Sequence, residues 1–136
     1  IDGFATEFDG GTDFILIRYA DVLLLYAETL NEMGKTSEAY TYVDLVRQRA
    51  NMEPLSTAQP GLSKDQFLEQ LKHERVVELS GEVTRFFDLK RWGMYNASNA
   101  IRDPNFETFV NGRSDIQPIP QSELDLNSNL IQNPGY

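Results

Sequence analysis

With 136 residues, 40% of them hydrophobic, the chain suffices for one domain with a buried core. A formal charge of −9, with no basic cluster denser than Lys90-Arg91, excludes a protein that tracks phosphate backbones. The absence of cysteine excludes disulfides, thiolate metal sites and a cysteine nucleophile, and the longest apolar block, Val22 to Ala27, is far too short to span a membrane.

Residues 1–13 hold a turn signal, Asp9-Gly10-Gly11, with no helical period around it, and read as a chain entered midway. From Arg18 to Met33, Tyr19, Val22, Leu23, Tyr26, Ala27, Leu30 and Met33 recur at spacings of three and four, which predicts a helix stopped by Gly34. Leu24 and Leu25 widen the stripe beyond one face, so this helix is expected to pack on two sides, with Leu24, Leu25 and Leu30 turned toward further hairpins. A second helix, capped by Thr36 or Ser37, carries Ala39, Val43, Val46 and Ala50 on one face and ends near Asn51, ahead of Pro54. The two form an antiparallel hairpin over residues 18–51, with small Ala27 and Ala39 near the crossing. One such tetratricopeptide-like unit cannot bury its own faces, and no second copy at a period of 34 residues is present.

Pro54 to Leu62 reads as a loop, and Ser63 with Gln66 forms a capping box that opens a third helix through Phe67, Leu71, Arg75 and Leu79. Ser80-Gly81 interrupts it, and a short fourth helix covers Thr84 to Trp92. Residues 93–136 have no sustained period and are expected to be an irregular wrap. The fold class is therefore mainly α: a helical hairpin (18–51), charged and aromatic helices (64–92) and long irregular loops, within one region of residues 1–136.

The stretch from Glu74 to Trp92 mixes charge with bulk. Glu74 and Glu78 lie one turn apart, Arg85, Asp88 and Arg91 repeat at spacings of three, and Phe86, Phe87, Leu89 and Trp92 stand between them. Charges wedged among such groups must be paired, which predicts an internal network of Arg18, Glu74, Arg75, Glu78, Arg85, Asp88 and Arg91. The competing reading makes Glu74 and Glu78 an acid/base pair facing a ligand, with Arg85 setting their protonation. A helix-to-helix clamp uses the same residue types without any substrate and is preferred.

Other motifs are weak. His73 is the lone histidine and, with Glu69, makes at most half a metal site, so no metal and no cofactor is expected. Asp125, Asn127 and Asn129 imitate a calcium loop that Leu130 and Tyr136 fail to complete, leaving local Asx turns. No phosphate cradle, nucleophile elbow or zinc-protease motif occurs. Tyr95, Asn96 and Phe106, near Trp92 and Phe109, are candidate ligand-stacking residues, with core anchoring as the default.

Segments Ile17–Glu28, Val46–Ala50, Glu74–Leu79 with Arg85–Gly93, and Pro118-Ile119-Pro120 with Asn133-Pro134-Gly135-Tyr136 together resemble the C-terminal part of the SusD/RagB family of outer-membrane nutrient-binding lipoproteins. The resemblance implies a helical scaffold with tetratricopeptide-like hairpins and no catalysis. It further implies a cell-surface protein that captures an oligosaccharide or other nutrient for a SusC-like TonB-dependent transporter, touching the membrane only through a lipid anchor. The chain departs from the full pattern in lacking a signal segment and a lipidation cysteine, as a C-terminal fragment would, and in having Glu82-Val83 where Glu-Gly is common. The charged motif residues carry over as scaffold positions only. The alternative is a helical protein-interaction module whose groove binds a peptide.

Overall fold

The computed structural model describes residues 15–82, 84–96 and 109–136, and every regular element among them is a helix. The chain divides into two compact units, Ile1–Ser80 and Gly81–Tyr136. None of the described helices is long and apolar enough to cross a membrane.

In the first unit, α1 (Tyr19–Glu32) and α2 (Thr36–Arg49) make the hairpin, with α3 (Leu55–Ala58) a single turn and α4 (Lys64–Glu78) packed on both α1 and α2. The hairpin turns where the sequence stops the helix. Gly34 takes φ +78, its N–H donates to Asn31 O, and Lys35 N–H reaches back to Leu30 O at 2.9 Å, a closed C-terminal motif that a β-carbon would strain. α2 closes in the same way, with Asn51 at φ 55 in the glycine position and Met52 N–H on Arg47 O. The capping box of Ser63 and Gln66 opens α4 as expected.

Two local expectations change. Neither Thr36 nor Ser37 caps α2: the Thr36 hydroxyl donates to Asn31 Oδ1 at 2.7 Å, while Asn31 Nδ2 donates to Lys64 O at 3.0 Å. Asn31 is fully buried, so its amide needs these partners and takes the hydroxyl that would have capped the helix. The loop after Pro54 also contains α3, because Leu55 is drawn fully into the core and Asp44 accepts from both the N–H and the hydroxyl of Ser56.

The core of this unit is Leu24, Ala27, Val43, Leu55, Phe67 and Leu71, none with measurable exposure. Alanine at positions 27 and 39, both fully buried, lets α1 and α2 approach closely. Tyr40 stacks edge-on to Phe67, its hydroxyl donating to Gln59 O and accepting from Leu62 N–H, which pins the α3–α4 connection. Leu24 and Leu30 face this core rather than outward, while Leu25 is exposed; Tyr19, Val22 and Tyr26 of α1, with Met33 at its C-cap, form an outward stripe.

Among the described residues, the second unit contains α5 (Thr84–Arg91) and α6 (Gln121–Leu126). Asp88 is its one buried residue among those described.

Candidate functional site

Three features of the described residues bear on function: a ladder of ion pairs, an apolar cleft and a file of aromatic rings. The ladder is written in the sequence as a reciprocal pattern. α1 begins Arg18-x-x-Asp21 and α4 ends Arg75-x-x-Glu78, so antiparallel packing brings each arginine to the other helix's carboxylate. Arg18 Nη1 lies 2.5 Å from Glu78 Oε1, with Nη2 on the Glu78 carbonyl, and Arg75 Nη1 lies 2.8 Å from Asp21 Oδ1. The Arg75–Asp21 contact is an ion pair by distance without hydrogen-bond alignment, and both groups are buried.

α2 supplies the remaining cations. Arg47 Nη1 donates to Glu74 Oε1 at 2.6 Å and its Nε to Glu53 O, while Gln70 also donates to Glu74. Arg49 Nη2 reaches both oxygens of Glu78, at 2.8 and 2.9 Å. Thus Glu74 and Glu78, the pair considered for acid/base work, are each held by guanidinium groups between helices. Neither is left with an open face toward a ligand.

Sequence reasoning named Arg18, Glu74, Arg75 and Glu78 but missed Asp21, Arg47 and Arg49 as their partners. The signal was the matched three-residue spacing on α1 and α4, together with two arginines in the last turn of α2.

The charged residues of the second unit divide differently. Buried Asp88 pairs with Arg91, whose Nε and Nη2 both stand 2.9 Å from Asp88 Oδ1. Arg85 and Arg91 are both exposed on α5, and it is Arg91 that contacts the Asp88 carboxylate. Arg91 also lies over the Trp92 ring at 4.6 Å.

The aromatic file runs Phe87, Phe86, Tyr95, Phe109, each ring edge-on to the next with centroids 5.0 to 5.4 Å apart. Phe87 is 64% exposed and Tyr95 half-buried. Asn96 donates from Nδ2 to Gly93 O, closing the turn after α5 rather than standing open. Phe106, the third ligand candidate, lies outside the described residues. Such a file offers ring faces and edges on which a sugar or other flat ligand can stack.

The apolar cleft lies in the first unit, between the start of α1 and the end of α2. It has a volume of about 480 Å³, with Ala20, Leu23, Leu45 and Val46 in its wall and Arg18 and Arg49 at its rim. Both rim arginines already engage Glu78. Among the described residues no three His, Cys, Asp or Glu gather into a metal site, and Asn127 Oδ1 accepts from Asn129 N–H in the local turn that its spacing suggested.

Comparison with known proteins gives these features a context. The profile of the SusD family matches residues 4–136. SusD-like protein P2 of Formosa agariphila is 39% identical over 139 residues, covering 94% of this chain and 27% of its own length. SusD-like protein P25 of the same organism is 33% identical, covering 96% and 26%. The crystal structure of a SusD superfamily protein from Bacteroides vulgatus superposes with a TM-score of 0.77 at 32% identity, over 89% of this chain and 27% of that one. A SusD homolog from Bacteroides thetaiotaomicron gives 0.75 at 33%, over 96% and 30%. The chain spans about a quarter of the length of the curated relatives it matches.

Proposed function

The chain belongs to the SusD family, and from that premise we propose that it is the helical scaffold portion of a non-catalytic binding protein. That protein holds an oligosaccharide or similar nutrient at the outer-membrane surface, where a lipid anchor retains it, and passes the ligand to a TonB-dependent transporter. The observation that carries the non-catalytic reading is the fate of the motif carboxylates. Glu74 and Glu78 are each bound by arginine and shared between helices, an arrangement that holds a scaffold together and leaves no general acid or base free. The aromatic file from Phe87 to Phe109 is the surface we assign to ligand stacking, with Tyr95 at its centre.

A glycan array probed with the intact chain, run beside a reducing-sugar assay on every glycan retained, tests this directly. Retention without sugar release is the expected result. Release that Glu74→Gln or Glu78→Gln abolishes would sink the binding-protein reading. Handover to a transporter is tested separately, by co-purification of the full-length protein with a TonB-dependent barrel from outer membranes.

One observation favours a second reading, a helical module that binds a peptide. The outward stripe Tyr19, Val22, Tyr26 and Met33 follows helical spacing, and Tyr26 packs edge-on to Tyr42 of α2 at 4.6 Å. Retention of peptides and of no glycan, lost on Tyr26→Asp, selects that alternative.

A further inference from the structure

We propose that residues Asn133–Tyr136 and the Pro118-Ile119-Pro120 segment are two halves of one clasp, which positions the loop carrying Phe109 and so sets one end of the aromatic file. The inference goes beyond the proposed function and stands whether or not that file holds a glycan.

Nearly all the contacts that make the clasp run from a side chain to the backbone. Between two prolines, Ile119 has the only N–H of its tripeptide, and Gln132 takes it: its Oε1 accepts from Ile119 N–H at 2.8 Å while its Nε2 donates to Ile119 O at 2.9 Å. The amide of one side chain thus does for Ile119 what a neighbouring strand would do. Asn133 Nδ2 then donates to Gln117 O at 2.6 Å. The Tyr136 hydroxyl stands 3.0 Å from Ile116 O and 3.2 Å from Arg113 O, one proton shared between two carbonyls.

Gly135 fits the close approach between the halves. It has φ +89, and a β-carbon there would meet Arg113 Cγ at 2.9 Å. The Arg113 guanidinium in turn lies 5.4 Å from the centre of the Tyr136 ring. Because Pro118, Pro120 and Pro134 hold φ already, both halves lose less chain freedom when they join than ordinary segments would.

The loop held this way leads to Phe109. Arg113 and Ser114 N–H groups both donate to Val110 O, and Val110 N–H donates to Ser114 Oγ, a closed turn directly after Phe109. Phe109 lies edge-on to Tyr95 with centroids 5.0 Å apart. Tyr136 therefore acts as a positioning residue: it holds the carbonyls of 113 and 116, these belong to the 110–116 turn, and that turn presents the ring.

The test is pulsed hydrogen exchange on the intact 136-residue chain, comparing Tyr136→Phe, which removes only the hydroxyl, and Asn133→Ala with a Leu126→Ala control at an exposed site of the same unit. Expected is exchange about fivefold to tenfold faster at the amides of Arg113, Ser114 and Ile116 in both clasp variants, the population change one hydrogen bond is worth, with the amides of α1 to α4 unchanged. The ring-current shifts of Tyr95 and Phe109 should move in the same two variants and stay in the control. Unchanged exchange at 113–116 in both variants overturns the clasp. So does an acceleration spread equally through α1 to α4, since that would report a general loss of stability instead of a released loop.

Discussion

The two units of this chain keep their shape by different means. In residues 15–80, side chains leave water together: Phe67, Leu71, Leu24 and Leu55 fill a shared interior, and the charges that enter it come as complementary pairs. In residues 81–136 almost nothing described leaves water except Asp88, and the chain is held by single amides and hydroxyls reaching backbone carbonyls, as Gln132, Asn133 and Tyr136 do. Apolar burial contributes about 25 cal/mol for each Å² removed from water, whereas one hydrogen bond nets roughly 1 kcal/mol. The difference teaches that the first unit supplies rigidity and the second supplies shape that local contacts can adjust.

Truncating one ring in each unit is the sharpest way to break this comparison. Phe67→Ala should cost about 3–5 kcal/mol, because the ring is fully buried and the cavity cannot refill from Tyr40 and Leu71. Phe87→Ala, at 64% exposure, should cost less than about 1 kcal/mol. Chemical denaturation of both variants decides it, and equal losses would mean that the second unit has a core of comparable weight.

Next in size is the ion-pair ladder. Arg75→Ala leaves Asp21 buried beside the vacated position, and an uncompensated interior charge costs about 3 kcal/mol or more. Asp21→Asn combined with Arg75→Met should recover most of that loss, since the pair is dispensable together and not singly. A single-variant loss under about 1 kcal/mol would show that water reaches the pair.

How much of this was legible follows from the same contrast. The helices of the hairpin and α4 announced themselves, because burying one face imposes a period of three and four on Leu23, Ala27 and Leu30, or on Phe67 and Leu71. Their ends were legible too, through Gly34 and the Ser63–Gln66 box. The partners within the ladder were not assigned, since which arginine meets which carboxylate depends on how helices far apart in sequence align; only the matching Arg-x-x-Asp and Arg-x-x-Glu carried a hint. Residues 93–136 were read as irregular for a physical reason: a side chain that bonds a carbonyl sixteen residues away, as Asn133 does, leaves no periodic trace.

A smaller effect probes a contact that crosses from loop to core. Tyr40→Phe keeps the ring against Phe67 but strips the hydroxyl that serves both Gln59 O and Leu62 N–H. The expected loss is about 1–2 kcal/mol, with amide exchange at 59–62 accelerating more than at α1. Uniform acceleration would mean that the loop and the hairpin open as one body.

The comparison that includes the smallest effect is the most discriminating, because it separates two arginines that look alike in the sequence. Arg85 and Arg91 each stand three residues from Asp88, so spacing alone gives either one an equal claim on the carboxylate. Geometry breaks the tie. Asp88 is 4% exposed and receives both Nε and Nη2 of Arg91, although both arginines are exposed on the same helix. Arg91→Ala should therefore cost about 1–3 kcal/mol, the penalty of weakening a charged hydrogen bond to a buried group. Arg85→Ala should stay within about 0.5 kcal/mol, as surface substitutions do. Removing Asp88 as well gives the decisive cycle: coupling should appear between Asp88 and Arg91 and vanish between Asp88 and Arg85. Coupling of the opposite pattern would mean that α5 turns its other face inward, and the order of the aromatic file, which rides on that helix through Phe86 and Phe87, would have to be redrawn with it.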